Sequence, residues 1–136
     1  MTILMIRHAH SCAVADTPPL PAQIAGHALC CQNCDSLPAL LRCLQHAQRS
    51  RPAWIVIETG AANAEQWALQ GAELCAALDA LPAPYIEITR NDADTLDSHL
   101  HPQHAPAALI CGGAADASRQ LSLAIVARRL RAAEEA

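Results

Sequence analysis

The chain has 136 residues, 52% of them hydrophobic, and a formal net charge of −4. This length suits a single domain over residues 1–136, and the apolar fraction is sufficient for a buried core. Lys and Arg form no basic block, which argues against nucleic acid as a partner. No apolar run reaches about 18 residues, which argues against a membrane partner.

The first residues and the cysteines predict the cellular compartment. The opening MTILMIRHAH reaches a charged side chain and two histidines too early to contain the apolar region of a signal peptide. We therefore expect a cytoplasmic protein. In that compartment the seven cysteines are expected as thiols rather than disulfides. The sequence indicates no cofactor.

Five short apolar runs have the length of buried strands. Helical spacing of apolar residues lies between and after most of them. The predicted strands cover residues 2–6, 27–31, 54–57, 85–88 and 107–111, and the predicted helices 36–48, 64–81 and 114–135. Three prolines disfavour a long helix over residues 11–26, and the polar stretch 91–106 is expected as a short helix or loop.

Two of the helices have a specific predicted face. Ser36 is a candidate N-cap for the first helix, and Pro38 suits its first turn. The expected buried residues of that helix are Leu37, Leu40, Leu41 and Leu44. Those of the last helix are Leu121, Ala124, Ile125 and Leu130.

Strands that alternate with helices predict parallel pairing through right-handed crossovers. Five such units predict an α/β fold: a flavodoxin-like three-layer sandwich with a five-stranded parallel sheet of order 2-1-3-4-5. Ligands bind such sheets outside the carboxyl ends of the strands. The polar residues expected at that rim are Arg7, His8, His10, Cys31, Gln32, Asn33, Cys34, Glu58, Thr59, Gly60, Thr89, Arg90, Asn91, Asp92, Gly112 and Gly113. His8, His10, Cys31, Glu58 and Asn91 are expected to converge there.

Several segments resemble type II 3-dehydroquinate dehydratase, mainly over residues 50–130. WIVIETGAA is similar to the strand of that family that ends in Asn-Pro-Gly-Ala, and PYIEI to its Pro-Val-Val-Glu-Val strand. APAALICGGAADASRQLSLAIVARRL resembles the closing strand, glycine turn and last helix. CQN resembles the Gln-Ser-Asn after the second strand, and ILMIRHAH stands where the family has Asn-Gly-Pro-Asn.

The resemblance implies a damaged catalytic set. The family's Tyr–Arg lid after strand one has no counterpart before residue 27, its acid His falls on Thr89, and its Asn after strand three falls on Glu58. A threonine cannot act as a general acid near neutral pH as an imidazole does. We therefore expect a protein without ordinary dehydratase activity that binds a small anionic molecule or serves an assembly role. The resemblance assigns ligand binding to Gln32, Asn33, Gly60, Thr89, Arg90 and Asn91.

The resemblance also implies self-association, since those enzymes assemble as trimers and dodecamers. Glu87 matches the family's strand glutamate, and a carboxylate within an apolar strand needs a partner. It is therefore expected to be structural, or to order a neighbouring subunit's loop.

Two catalytic alternatives remain open. One is a divergent lyase or hydrolase that uses His8, His10 and Glu58 as its new polar set. The other follows from LMIRHAHS, which resembles the Arg-His-Gly motif of histidine phosphatases. In that interpretation His8 accepts a phosphoryl group and Arg7 binds it. The late histidine of that family is missing, because Cys111 precedes the glycine pair.

A metal site is a further alternative. Cys31-x-x-Cys34 has the spacing of metal ligands, and His10 could approach it from the neighbouring strand. No second motif of this kind accompanies it, so no metal is assigned. His99, His101 and His104 are expected in a solvated loop rather than as ligands.

Overall fold

The computed structural model describes residues 2–8, 20–60, 62–89, 95–111 and 115–135. It contains six strands and four helices in a mixed α/β arrangement, which confirms the predicted class. The strands are β1 (Thr2–His8), β2 (Gln23–Ile24), β3 (His27–Cys34), β4 (Trp54–Glu58), β5 (Tyr85–Thr89) and β6 (Ala108–Cys111). The helices are α1 (Leu37–Ser50), α2 (Ala64–Asp79), α3 (Leu96–Leu100) and α4 (Ala115–Glu135).

The sheet has the order β2-β3-β1-β4-β5-β6, and all pairs are parallel except β2–β3. The sheet therefore has six strands and not the predicted five, and its order differs from the predicted 2-1-3-4-5 by the antiparallel edge strand β2. The additional strand β2 pairs with β3 through a tight turn at Ala25 and Gly26, whose φ angles are 49° and 83°. Positive φ at both central residues is typical of a hairpin turn, but Ala-Gly lacks the usual Asn-Gly signature. A two-residue strand leaves no hydrophobic pattern to detect.

Both faces of the sheet are covered by helices. Leu4 and Ile6 of β1 pack with α1, α2 and α3, on what we term the α1 face. Ile3 and Met5 point the other way and pack with α4, on the α4 face. Successive residues alternate between faces, and both sets are buried because the central parallel strands are covered on both sides.

The sequence predicted α1 and its buried face correctly. The Ser36 side chain accepts a hydrogen bond from the Ala39 N–H, which satisfies one of the free donors at the helix start. The buried side chains include all four predicted leucines and Ala47. Asn63 and Gln66 form a reciprocal capping box at the start of α2, so this helix also begins at a defined residue.

The buried face of α4 matches the predicted one only in part. Leu130 is buried as predicted and Ile125 packs against the same core, but Leu123 and Val126 are also buried and Leu121 is 52% exposed. An alanine-rich helix offers more than one stripe of apolar residues at helical spacing. Contact with the sheet, rather than the local pattern, selects which stripe is buried.

Two strands extend further at their carboxyl ends than predicted. β1 includes Arg7 and His8, and β3 includes Gln32, Asn33 and Cys34. These residues lie side by side in the sheet, so they belong to the strands and not to the loops after them. The strands are predicted from runs of apolar residues, and those runs stop where the polar side chains begin. The pairing between β1 and β3 continues past that point.

No helix in the parts of the chain that the structure describes is long and apolar enough to cross a membrane.

We expect Leu44→Ala to lower the free energy of unfolding by about 2–5 kcal/mol, because it opens a cavity beneath a fully buried α1 side chain. Leu69→Ala is the matched control: Leu69 lies in α2 but is 71% exposed, so a change within about 0.5 kcal/mol is expected. Urea unfolding followed by circular dichroism measures both. Equal losses in the two variants would contradict the assigned core.

Candidate functional site

Three charged side chains meet on the α4 face near the carboxyl ends of the central strands. Glu58 ends β4, Arg7 lies beside it in register on β1, and Arg119 comes from α4. Arg119 donates from Nε to Glu58 Oε2 and from Nη2 to Oε1, both at 2.8 Å. Arg7 Nε lies 3.4 Å from Glu58 Oε2. We call these three residues the rim cluster.

The rim cluster keeps its carboxylate ionised. Burial acts to raise the pKa of Glu58, but the hydrogen bonds and charge of Arg119 and the charge of Arg7 outweigh it. The net result is a pKa below the ordinary value of 4.5. Two guanidinium groups thus face one carboxylate, and Arg7 and Arg119 also have interactions beyond these three side chains. The Arg119 contact is bidentate, which fixes both geometry and charge.

Cys31 and Asn33 border the rim cluster on β3. Cys31 is in register with Met5 and Asn33 with Arg7, so strand alternation points both toward the α4 face. Both residues are exposed, which leaves this side of the cluster open to solvent. Partial burial raises the pKa of the Cys31 thiol, and the nearby Arg7 guanidinium only partly offsets that effect. Cys31 therefore favours the protonated thiol.

His8 lies at the same edge of the sheet but on the α1 face. Its side chain is buried, and its Nδ1 accepts a hydrogen bond from the Gly60 N–H at 3.3 Å. This contact leaves the ring hydrogen of the neutral imidazole on Nε2. Cys34, in register with His8, is also buried and donates from Sγ to the Arg7 carbonyl oxygen at 3.6 Å.

The five residues expected to converge do not form one group among the described residues. Glu58 and Cys31 lie on the α4 face, whereas His8 lies on the α1 face. His10 and Asn91 lie outside the described residues. The same alternation separates the proposed histidine-phosphatase pair, because Arg7 and His8 are consecutive in β1 and point to opposite faces.

The residues assigned to ligand binding likewise lie on both faces of the sheet. Asn33 faces the rim cluster, and Gln32 faces α1. Gly60 contacts His8, and Thr89 is buried at the end of β5. Arg90, with Asn91 and Asp92, lies outside the described residues, as do Gly112 and Gly113.

The spacing of Cys31 and Cys34 does not produce a metal site. Residues three apart in a strand point to opposite faces, and both cysteines lie within β3. The spacing would have suited a turn, which was the expectation when the strand was predicted to end at residue 31. In the described parts of the chain, no group of three or more His, Cys, Asp or Glu side chains is placed to hold a metal ion.

Glu87 has the structural partners that a buried carboxylate requires. Its Oε2 accepts a hydrogen bond from Thr59 Oγ1 at 2.7 Å and another from the Leu96 N–H at 2.6 Å. The carboxylate thereby joins β5, the residue after β4 and the start of α3. This arrangement agrees with the expected structural role of Glu87.

Two of the late histidines also have structural contacts. His99 stacks on Trp67 with ring centroids 4.3 Å apart. The His104 N–H donates to Asp79 Oδ1 at 3.0 Å, and the His104 carbonyl accepts from the Tyr85 hydroxyl at 2.7 Å. These contacts fasten the segment before β6 to the sheet and α2.

Arg119 is the site residue that sequence reasoning missed. It shares the helical stripe of Leu123, Val126 and Leu130, which are the buried residues of α4. A charged residue on a buried stripe requires a counter-charge, and this was the available signal. The predicted stripe, which begins at Leu121, does not include Arg119.

No protein-family model matches this sequence, and no curated protein matches it. The resemblance to type II dehydroquinases therefore remains a prediction from the sequence motifs. The side chains and their geometry indicate the function better than the fold does, since one fold supports many activities.

Glu58→Gln is expected to lower the free energy of unfolding by about 1–3 kcal/mol near neutral pH, because two buried guanidinium groups lose their counter-charge. The lowered pKa of Glu58 means that its stabilisation is present above 4.5 and is lost as pH falls through the folded-state pKa. The difference in the free energy of unfolding between the wild type and Glu58→Gln should thus become smaller in acid. Urea titrations across that pH range measure it.

The matched control for this measurement is Glu73→Gln, which changes an exposed carboxylate on α2. It should change stability little at any pH in the range. A difference between wild type and Glu58→Gln that stayed constant in acid would contradict the charge-based account of the rim cluster.

Proposed function

We propose that this chain is a divergent, dehydroquinase-like protein that binds a small anionic molecule at the rim cluster and lacks ordinary dehydratase activity. The scaffold in this proposal is a flavodoxin-like three-layer domain over residues 1–136. The binding site lies at the carboxyl end of its parallel strands. The observation that carries the proposal is the pair of guanidinium groups, Arg7 and Arg119, which Glu58 holds together at this end of the sheet.

The geometry of the rim cluster supports an anion as the ligand. Arg119 is held by two hydrogen bonds to Glu58, so little side-chain freedom is lost when an anion approaches. The negative charge of Glu58 is offset by the two guanidinium groups that lie against it. The exposed Asn33 adds an amide that can donate a hydrogen bond to the same molecule. An anion such as a carboxylate or phosphate fits this set of donors.

The residues in the family's catalytic positions argue against ordinary dehydration. Thr89 stands where the resemblance requires the acid histidine, and it is buried at the end of β5. A hydroxyl at that position does not protonate a leaving group near neutral pH. Glu58 replaces the family's asparagine, and Arg119 engages both of its oxygens. Binding without turnover is the function these residues support best.

Calorimetric titration and thermal unfolding with 3-dehydroquinate, and separately with inorganic phosphate, test the binding proposal. At least one of these anions should bind and raise the melting temperature. Arg119→Gln should weaken that binding about 10–100-fold, because hydrogen bonds to charged groups contribute about 1.5–3 kcal/mol. Formation of the dehydrated, conjugated product, followed by ultraviolet absorbance, should stay at background.

Arg49→Gln is the matched control, since Arg49 is exposed in the last turn of α1. This variant should bind like the wild type. Loss of binding in both variants, or binding by neither anion in the wild-type protein, would contradict the proposed site. Turnover of 3-dehydroquinate at a normal enzymatic rate would contradict the proposed absence of dehydratase activity.

Self-association is the second part of the proposal. Leu69, Leu109 and Leu121 are large apolar side chains that are 71%, 42% and 52% exposed. They lie on α2, β6 and α4, so more than one surface has an apolar residue that a second copy could cover. A homo-oligomer, trimeric or dodecameric by resemblance, would bury them.

Light scattering coupled to size exclusion should therefore give a mass at least three times the chain mass of 14.4 kDa. Leu109→Asp should reduce that mass if β6 lies in the interface, since an aspartate there would be costly to bury. Arg49→Gln again serves as the unaffected control. A monomer over the whole accessible concentration range would refute the assembly role.

A further inference from the structure

A groove lies on the α1 face between the end of β3 and α1, with a volume of about 470 Å³. Its walls include Gln32, Asn33 and Cys34 from β3 and Arg42, Cys43 and His46 from α1. The three charged side chains of the rim cluster lie on the opposite face of the sheet, and Asn33, which borders that cluster, lies at the edge of both. The anion-binding proposal assigns no role to these two cysteines.

The fold places the two thiols of this groove near each other. Cys34 is the last residue of β3 and points toward α1, while Cys43 lies on α1 beside its buried leucine stripe. Both side chains line the groove, and Cys43 packs against the buried cluster that contains Cys34. Only a short turn and the first part of α1 separate them in sequence, so a covalent link would close a small loop.

A second feature of the groove indicates a polar occupant. Gln32 Oε1 is buried and has no hydrogen-bond partner among the described residues. A buried amide oxygen without a partner is costly, so a donor from a bound molecule would be favourable there. Arg42 is exposed in the same groove and can bind a carboxylate. A peptide-like molecule with a free carboxylate matches both groups.

We propose that the groove is a thiol–disulfide exchange site, in which a small carboxylate-bearing peptide disulfide such as oxidised glutathione converts Cys34 and Cys43 into an intramolecular disulfide. The reagent supplies the oxidising equivalents and leaves as two thiols.

Cys43 is the entry point of this exchange. Burial raises the pKa of both thiols, and for Cys43 the proximity of Cys34 and the charge of Arg42 offset only part of this rise. The pKa of Cys34 is raised to about 12, mainly by burial. Since the thiolate is the attacking species, the half-buried Cys43 reacts first with the incoming disulfide. Cys34 then acts as the resolving thiol.

The exchange takes place in two steps. Cys43 loses its proton and attacks one sulfur of the peptide disulfide, forming a mixed disulfide and releasing one peptide thiolate, which takes up a proton. Cys34 then loses its proton and attacks the Cys43 sulfur, which breaks the mixed disulfide and releases the second peptide thiol. Both cysteines are oxidised, and one peptide disulfide is reduced to two thiols.

The other described cysteines are less suited to this product. Cys30 and Cys31 are adjacent in β3 and point to opposite faces, which opposes disulfide geometry. Cys75 donates from Sγ to the Leu100 carbonyl at 3.5 Å, and Cys111 lies at the opposite edge of the sheet. The product is thus expected to be selective for one pair.

Oxidation would also remove a contact near the rim. The Cys34 thiol donates to the Arg7 carbonyl oxygen, and a disulfide sulfur has no hydrogen to donate. Oxidation in the groove on the α1 face would therefore change a contact of the Arg7 backbone, whose side chain lies on the α4 face.

The experiment exposes the folded, reduced protein to oxidised glutathione, blocks remaining thiols with an alkylating reagent and maps the products by mass spectrometry. The intact, unalkylated product should lose about 2 Da, because one disulfide replaces two S–H bonds. Trypsin cleaves after Arg42, so the disulfide should join the peptide carrying Cys34 to that carrying Cys43. Fragmentation between Cys31 and Cys34 assigns the linked residue.

Cys43→Ser should abolish the product, and Cys75→Ser, which changes another half-buried helical cysteine, should not. Arg42→Gln should slow oxidation by glutathione several-fold more than oxidation by uncharged hydroxyethyl disulfide. The wild-type map decides the central claim even if a variant fails to fold. Free alkylated thiols at both positions, a persistent mixed disulfide on Cys43, or links confined to other cysteines would overturn it. Equal slowing with the two reagents would overturn the carboxylate preference.

Discussion

The alternation of side chains along parallel strands is the constraint on which every proposed site in this protein depends. Consecutive residues at the end of β1 point to opposite faces, so Arg7 meets Glu58 beneath α4 while His8 meets Gly60 on the other side. Parallel pairing brings the carboxyl ends of the strands to one edge of the sheet. Residues at that edge still lie on opposite faces and do not line a single pocket. The polar rim is therefore two environments separated by the sheet.

The rim cluster joins the fold to the proposed function. The bidentate contact between Arg119 and Glu58 fixes the start of α4 against the end of β4. The same contact neutralises the carboxylate that would otherwise repel an anion, and Arg7 supplies a further positive charge. A buried ion pair is weak evidence for stability by itself, because desolvation offsets much of the attraction. The placement of two guanidinium groups beside Asn33 is more informative, since it brings several hydrogen-bond donors together at the rim.

The α1 face has a different chemistry. It places two sulfur atoms, an imidazole and an unpaired amide oxygen around a groove, and its buried carboxylate, Glu87, is engaged by Thr59 and the backbone of Leu96. The Cys34 and Cys43 thiols lie on this face, whereas the ion pairs of the rim cluster lie on the other. The two proposed sites can consequently be altered separately by substitution, although the Cys34 bond to the Arg7 carbonyl links their supports.

The sequence by itself determined the elements that have strong local signals. Apolar runs predicted the central strands, Ser36 and the leucine stripe predicted α1, and an apolar strand around Glu87 indicated a carboxylate that needs partners. Only the tertiary structure decided the added edge strand β2, the buried stripe of α4, the pairing of Arg119 with Glu58, and the faces to which Arg7, His8, Cys31 and Cys34 point. Local periodicity and capping act between neighbours in the chain, whereas these outcomes depend on strand ends and on contacts between residues distant in sequence.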